Sequence, residues 1–251
     1  MKSLTSKIRA KETRNYGFAM QGPAMCRLLL ATVLLGSVHA LIAQTETLGP
    51  KPPFQSAETL AVTDIALPLR CVAGGGFVVL DALITETGKV QGVEVRRDVA
   101  CFTVVAVQAV KNWKFSPATF VGKAIASRMP VAVTFDPLFL YAGPVPLPPL
   151  IPQSAAAIQA EFQPAEVTRA LLPHPHPGYT FAEGAVVLEV TLSAKGEAEE
   201  IKVLRDLPPF TAGAKAVVGD WRFMPAAFNV HPVRSKILLA FVSPPLVTNT
   251  P

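Results

Sequence analysis

The chain has 251 residues and a formal charge of +5, from 23 Lys plus Arg against 18 Asp plus Glu. Six of those bases and one acid fall within the first 27 residues, leaving 17 of each sign over the rest, so the basic balance is confined to the amino-terminus and nucleic-acid binding is excluded as an expectation. Half of the residues are hydrophobic, which excludes disorder along the whole chain, and the length suits one large domain or two small ones.

Residues 1–43 read as a signal peptide or a membrane anchor. The run from Leu28 to Ala43 carries no charge and follows Arg27 directly. A spanning helix wants about 20 apolar residues, so this run is short for one, and a basic segment, an apolar segment and small exit residues (Ala40, Ala43) fit a secretory signal. Membrane contact is expected only through an uncleaved leader. Residues 44–53 form a short linker.

Two copies of one unit follow. Phe54-Gln55 recurs as Phe162-Gln163 at an offset of 108, and 22 of the 75 positions from 54 to 128 are identical at that offset without a gap. The duplication gives a first lobe over 54–136 and a second over 162–243. Residues 77–84 alternate, with Val78, Leu80, Ala82 and Ile84 on one face and Asp81 opposite. Val186, Leu188, Val190 and Leu192 repeat the pattern, with Glu189 opposite. Each predicts a half-buried strand. Turns at Gly88 and Gly196 lead into second strands through Val95 and Val203. Phe102, Ala106, Ala109, Val110 and Trp113 then mark the stripe of an amphipathic helix, matched by Phe210, Ala214, Val217, Val218 and Trp221. Pro117 and Pro225 forbid its continuation. Closing strands are predicted at Pro130 to Phe135 and Ile237 to Val242. The fold class is α+β: two tandem ββαβ lobes, each a small antiparallel sheet with one packed helix.

The first hairpin places Cys101 opposite roughly residues 72–75, close to Cys71. A disulfide there closes a loop of about 30 residues, worth roughly 3–4 kcal/mol in the chain-entropy model, and exported compartments preserve such bonds. Two free buried thiols are the alternative. Between the lobes, residues 137–161 form a Pro-rich linker whose stretch from Pro144 to Pro152 has five Pro in nine residues and predicts a semi-rigid extended spacer. Residues 244–251 are a tail.

At Gly76, Gly88, Trp113-x-Phe115-x-Pro117-Ala118 and the closing strand, and again at Gly184, Gly196, Trp221-x-Phe223-x-Pro225-Ala226 and its closing strand, each lobe resembles the TonB C-terminal domain. The resemblance covers residues 76–135 and 184–242. It implies a non-enzymatic protein of the periplasm or cell envelope of a Gram-negative-type bacterium, soluble or anchored in the inner membrane. It implies a protein partner, such as an outer-membrane transporter or another envelope protein, bound by strand addition to a sheet edge. The candidate partner-binding edges are the closing strands, at Val131, Val133 and Phe135 and at Leu239 and Phe241. Strands that are interior, or paired with each other across the lobes, are the alternative. Trp113, Phe115, Pro117, Trp221, Phe223 and Pro225 are expected as structural core.

Other chemistry is not expected. His174-Pro175-His176 has no ligand-type neighbour at metal spacing, and Gly74-Gly75-Gly76 lacks the Lys-Ser/Thr of a phosphate loop. The repeated Arg97-Asp98 and Arg205-Asp206 predict local ion pairs at the helix starts. No catalytic residue, metal or cofactor is expected. Three functions follow: an exported binder of protein segments, a membrane-anchored energy transducer for outer-membrane transport, and a structural periplasmic scaffold or dimer module.

Overall fold

The computed structural model describes residues 53–65, 75–135, 143–154, 157, 160–173 and 183–243. The leader, Cys71, the triplet 174–176 and the tail 244–251 lie outside the described residues. Among the described residues, no helix is long and apolar enough to cross a membrane.

The first lobe begins with β1 (Phe54–Gln55) and β2 (Glu58–Ala61), then the hairpin of β3 (Gly76–Ile84) and β4 (Val90–Arg97). Helix α1 (Phe102–Lys111) follows, then the short β5 (Lys114–Ser116), β6 (Ala118–Phe120) and β7 (Lys123–Ile125), and the closing β8 (Ser127–Phe135). A two-residue β9 (Gly143–Pro144) lies in the linker. The second lobe repeats the order with β10 (Phe162–Gln163), β11 (Glu166–Arg169), an additional β12 (Leu171–Leu172), β13 (Gly184–Leu192) and β14 (Ala198–Arg205). It ends with α2 (Phe210–Val218), β15 (Arg222–Met224), β16 (Ala226–Phe228), β17 (His231–Val233) and β18 (Ser235–Ser243). The fold is α+β with two strand-rich lobes, each carrying one helix on antiparallel strands. The closing strands start three residues earlier in the first lobe and two earlier in the second than the apolar runs suggest, and they keep the 108-residue offset throughout.

Six long strands join the lobes into one sheet, ordered β14-β13-β18-β8-β3-β4. Every pairing is antiparallel except the seam between β8 and β18, which is parallel. Its register decides the architecture. Val131 stands beside Leu238, whereas its counterpart in the repeat is Leu239. Side chains alternate between faces with each residue, so a displacement of one puts counterpart residues on opposite faces. The two helices therefore cover opposite faces of the sheet. On one face, Phe102 of α1 stacks on Phe135 at 4.6 Å. On the other, Trp221 packs 5.7 Å from Phe241 and 5.9 Å from Phe77 of the first lobe.

This corrects the expectation of half-buried strands. The face that a lone lobe would turn to solvent is roofed by the other lobe, and β13 is buried along its whole length. Both faces being covered explains near-continuous burial better than alternation does. Asp81 and Glu189, expected on the outer face, are 2% and 3% exposed. Four aromatic rings from the two lobes close the join: Phe54 stacks on Phe162 at 5.0 Å and on Phe228 at 5.2 Å, and Phe120 on Phe228 at 4.7 Å.

Several local devices recur in both lobes. Each helix starts without a side-chain cap at its first position. Instead the hydroxyls of Thr103 and Thr211 accept the N–H groups of Val99 and Leu207 at 3.0 and 2.9 Å, tying the segment before each helix to its first turn. Each indole ends its helix buried and donates to a carbonyl upstream, Trp113 to Thr63 at 3.2 Å and Trp221 to Leu171 at 3.0 Å. Phe115 and Phe223 are buried, whereas Pro117 and Pro225 are half-buried, pressed under the hairpin turns. At Gly88 and Gly196 the backbone takes φ of +79° and +82°, and a Cβ would meet the carbonyl oxygen of Phe115 or Phe223 at 2.4 Å. Only glycine fits there, on both counts.

Candidate protein-binding edges

A strand can accept another chain only along an edge whose N–H and C=O groups lack a partner. The expected edges do not qualify. Val131, Val133 and Phe135 lie on β8, which pairs with β3 on one side and β18 on the other. Leu239 and Phe241 lie on β18, which pairs with β13 and β8. All five are buried. The closing strands are the centre of the sheet, because the duplication supplies each lobe's open edge with the other's.

The sheet therefore ends at β4 and β14. Their innermost ends are bent by the same irregularity. Between the register pairs Val79–Arg97 and Leu80–Val95, Arg96 is the extra residue, and Leu204 holds that place between Val187–Arg205 and Leu188–Val203. Such a bulge turns a backbone group out of the ladder. At β4 the group is used: the Arg96 carbonyl accepts the N–H of Ile151 at 2.8 Å, and the Arg96 Nη1 donates to the Ile151 carbonyl at 2.7 Å. Arg97 Nη1 donates to the carbonyl of Pro148. The linker is thus seated on the first edge, with Val145 and Leu147 packed against the core, and does more than space the lobes. At β14 no strand or linker segment among the described residues is bonded along the outer side.

The paired Arg residues also differ from expectation. Arg97 Nη2 reaches Glu166 of the second lobe at 3.2 Å, and Arg205 Nη2 reaches Asp64 of the first at 2.7 Å. These are contacts between lobes, not local pairs with Asp98 and Asp206. Asp64 further accepts the N–H of Ala185 at 3.0 Å, just past the end of β14. Periodicity along one repeat carries no signal for such contacts, since their partners lie in the other copy.

The buried acids have opposite electrostatics. Glu189 accepts Lys236 Nζ and the Thr59 N–H, each at 3.0 Å. Burial pushes its carboxyl up, but these hydrogen bonds outweigh it and hold the pKa below the ordinary carboxylate value. Burial likewise opposes the charge on Lys236, yet its bonds to Glu189 and Glu58 push its pKa up. Asp81, the counterpart of Glu189, has Arg96 and Arg128 at 3.7 and 3.8 Å, but its Oδ2 lacks a hydrogen bond. Burial wins there, and the carboxyl is pushed up to about 6. Glu189 lies one strand in from β14, opposite Lys202, and Asp81 one strand in from β4, opposite Glu94.

Among the described residues, no group of three or more His, Cys, Asp and Glu is placed to hold a metal ion. Cys101 opens α1 at φ +76°.

No curated protein and no solved structure matches the chain. A family model, that of the Gram-negative bacterial TonB protein C-terminal, matches twice, over residues 71–137 and 181–242. Those spans cover the hairpin, helix and closing strand of each lobe, and the family is a non-catalytic one of the Gram-negative cell envelope. With just over half of its length matched, the chain belongs to the family of the Gram-negative bacterial TonB protein C-terminal, in two tandem copies.

Proposed function

We propose that the protein is an exported, non-enzymatic component of the cell envelope that binds an extended protein segment by addition to the β14 edge of its sheet. The observation that carries this reading is the outer side of β14, open among the described residues while its counterpart β4 holds the chain's own linker. An edge left open offers a partner backbone its hydrogen-bonding groups. The partner fits the family's use of outer-membrane proteins. The bridge from Cys101 to Cys71 belongs to the same reading: Cys101 is engaged rather than free, and an oxidising compartment would keep the bond.

Hydrogen exchange tests the binding edge. Amides of Ala198–Arg205 facing outward should exchange quickly in the protein alone and become protected when outer-membrane extract from the same kind of cell is added, with β8 and β18 slow throughout. Protection of β14 in the protein alone would refute it. The parallel seam favours a second reading, a structural scaffold whose lobes consume their own edges, and that outcome would support it. Mass measurement of the native protein separates both from the anchored transducer, since a mature form beginning near Leu41 or Gln44 has lost its leader.

A further inference from the structure

We infer that the open edge at β14 takes a proline-rich extended segment of a partner protein, of the same Pro-Pro-Leu-aliphatic kind that the chain lays on β4. This rests on β14 being a binding edge and specifies what is bound there.

The chain itself shows how such a segment is held. Proline has no N–H, so a Pro-rich stretch cannot run a continuous ladder along a strand. It needs isolated contacts: a donor for one of its carbonyls and an acceptor for the occasional free N–H. The bulged end of β4 offers that pair, with the Arg97 guanidinium on the Pro148 carbonyl and the Arg96 carbonyl on the Ile151 N–H. The end of β14 repeats both groups at the counterpart positions, Arg205 and the carbonyl of Leu204, at the same irregularity. Arg205 spends Nη2 on Asp64, as Arg97 spends Nη2 on Glu166, and among the described residues no carbonyl takes its Nη1.

A second feature lies beside the same edge. Between β14 and the start of α2 is an open concavity of about 610 Å³, lined by Val203, Pro208, Pro209 and Ala212 together with the polar Asp206, Thr211 and Lys215. Val203 pairs with Leu188, so it belongs to the face that carries α2. Four of the seven lining residues are apolar or prolyl, which suits a leucyl or prolyl side chain of a segment lying along the edge; of the three polar ones, Asp206 precedes α2 and Thr211 and Lys215 lie on it. A segment already extended loses little conformational freedom on docking. The two seats differ in one respect. Arg96 adds a side-chain bond to the Ile151 carbonyl, and Leu204 has none to add. The β4 seat is held by the covalently joined linker, and the β14 seat is the exchangeable one.

The test is a titration of isotope-labelled full chain with a synthetic peptide of residues 145–152, followed by amide NMR. A second peptide has every Pro replaced by Thr, which keeps it extended and restores its ladder donors. The expected result is saturable shifts at Val203, Leu204 and Arg205 with the Pro-rich peptide, and a Kd raised about tenfold in Arg205→Lys, the change expected for losing one charged hydrogen bond of about 1.4 kcal/mol. The lysine keeps a cation for Asp64, and Trp221 near-ultraviolet dichroism checks that the fold is retained. Binding of the Thr peptide alone overturns this inference and leaves the open-edge reading standing. Silence at β14 with both peptides overturns this inference, and the open-edge reading falls with it if the outward amides of β14 are also protected from exchange in the protein alone. Shifts confined to β4, or an affinity unchanged in Arg205→Lys, overturn the assignment of the seat. Concentration-dependent shifts at β14 without peptide make the occupant a second copy of the chain and likewise overturn it.

Discussion

Phe77→Ala separates a joined pair of lobes from two independent ones. Were the first lobe self-sufficient, Phe77 would stand on its solvent face beside Asp81, and its loss would cost within about 0.5 kcal/mol, as surface changes do. In the joined sheet it is 1% exposed and meets Trp221 of the other lobe at 5.9 Å with the rings tilted by 60°. A buried phenylalanine removes about 150–250 Å² from water, worth roughly 4–6 kcal/mol at 25 cal/mol per Å², of which the remaining Ala keeps a part. The expected loss is therefore about 3–4 kcal/mol, within the range for Phe→Ala in cores. With a urea slope near 2 kcal/mol/M, the midpoint should fall by about 1.5–2 M. The assay is equilibrium urea unfolding, read by the fluorescence of Trp221 in a Trp113→Phe background for both proteins. A midpoint shift under about 0.3 M, or a Trp221 spectrum unchanged by the substitution, would refute the argument that the lobes bury each other's outer faces.

Gly88→Ala should cost about 2–4 kcal/mol, because φ is +79° and the new Cβ would lie 2.4 Å from the Phe115 carbonyl oxygen. Gly122→Ala, with φ +78° but open space around it, should cost only about 1 kcal/mol; equal midpoints in urea for the two variants would show that contact with Phe115 is not what fixes Gly88. Val230 occupies the matching turn of the second lobe at φ +63° and is 91% exposed, so Val230→Gly should stabilise by about 1 kcal/mol, strain relief exceeding the added chain entropy, and a lowered Tm would contradict it. Asp81 binds its proton more tightly folded than unfolded, with a pKa of about 6 against 3.8; its contribution to stability therefore grows as pH falls from about 7 to 4, by up to about 3 kcal/mol, and comparing urea midpoints across that range should find this component missing in Asp81→Asn.

The elements of each lobe were legible because each rests on a local cause. Alternation, a glycine turn, a helical stripe and a terminating proline are read within one repeat, and the resulting ββαβ lobe is the one observed. What eluded such reading is most of what one copy does to the other, although pairing of the closing strands across the lobes stood as the alternative and is what β8 and β18 do. The acids Asp81 and Glu189 read as solvent-facing because a lone strand with one polar position per turn of the pattern is half-buried. Arg97 and Arg205 read as helix-start pairs because Asp98 and Asp206 are next in sequence, whereas Glu166 and Asp64 win by lying where the other lobe's arm crosses. The closing strands lack any charge that would mark an edge under protection, from Pro130 to Phe135 and from Ile237 to Val242, and that was the available signal for their burial. Phe120 and Phe228 recur at the offset without belonging to any stripe, and with Phe54 and Phe162 they form the interlobe cluster.

Duplication of a module with one unprotected edge has a particular physical outcome. A single copy would have to cover or charge that edge; two copies can spend it on each other. A parallel seam with counterpart residues displaced by one puts the helices on opposite faces, so neither helix competes for the space above the shared strands, and each lobe gains an apolar roof over a face it could not bury alone. The same operation turns strand acids inward, and the copies have answered differently: Glu189 is satisfied by Lys236 and the Thr59 N–H, while Asp81 has only distant arginines. Joining through the closing strands also moves any strand addition outward, to β4 and β14. The linker between the copies occupies the β4 edge, and among the described residues the β14 edge carries no strand or linker segment. On the proposed reading the protein binds one segment at a time, although it carries two copies of the binding fold.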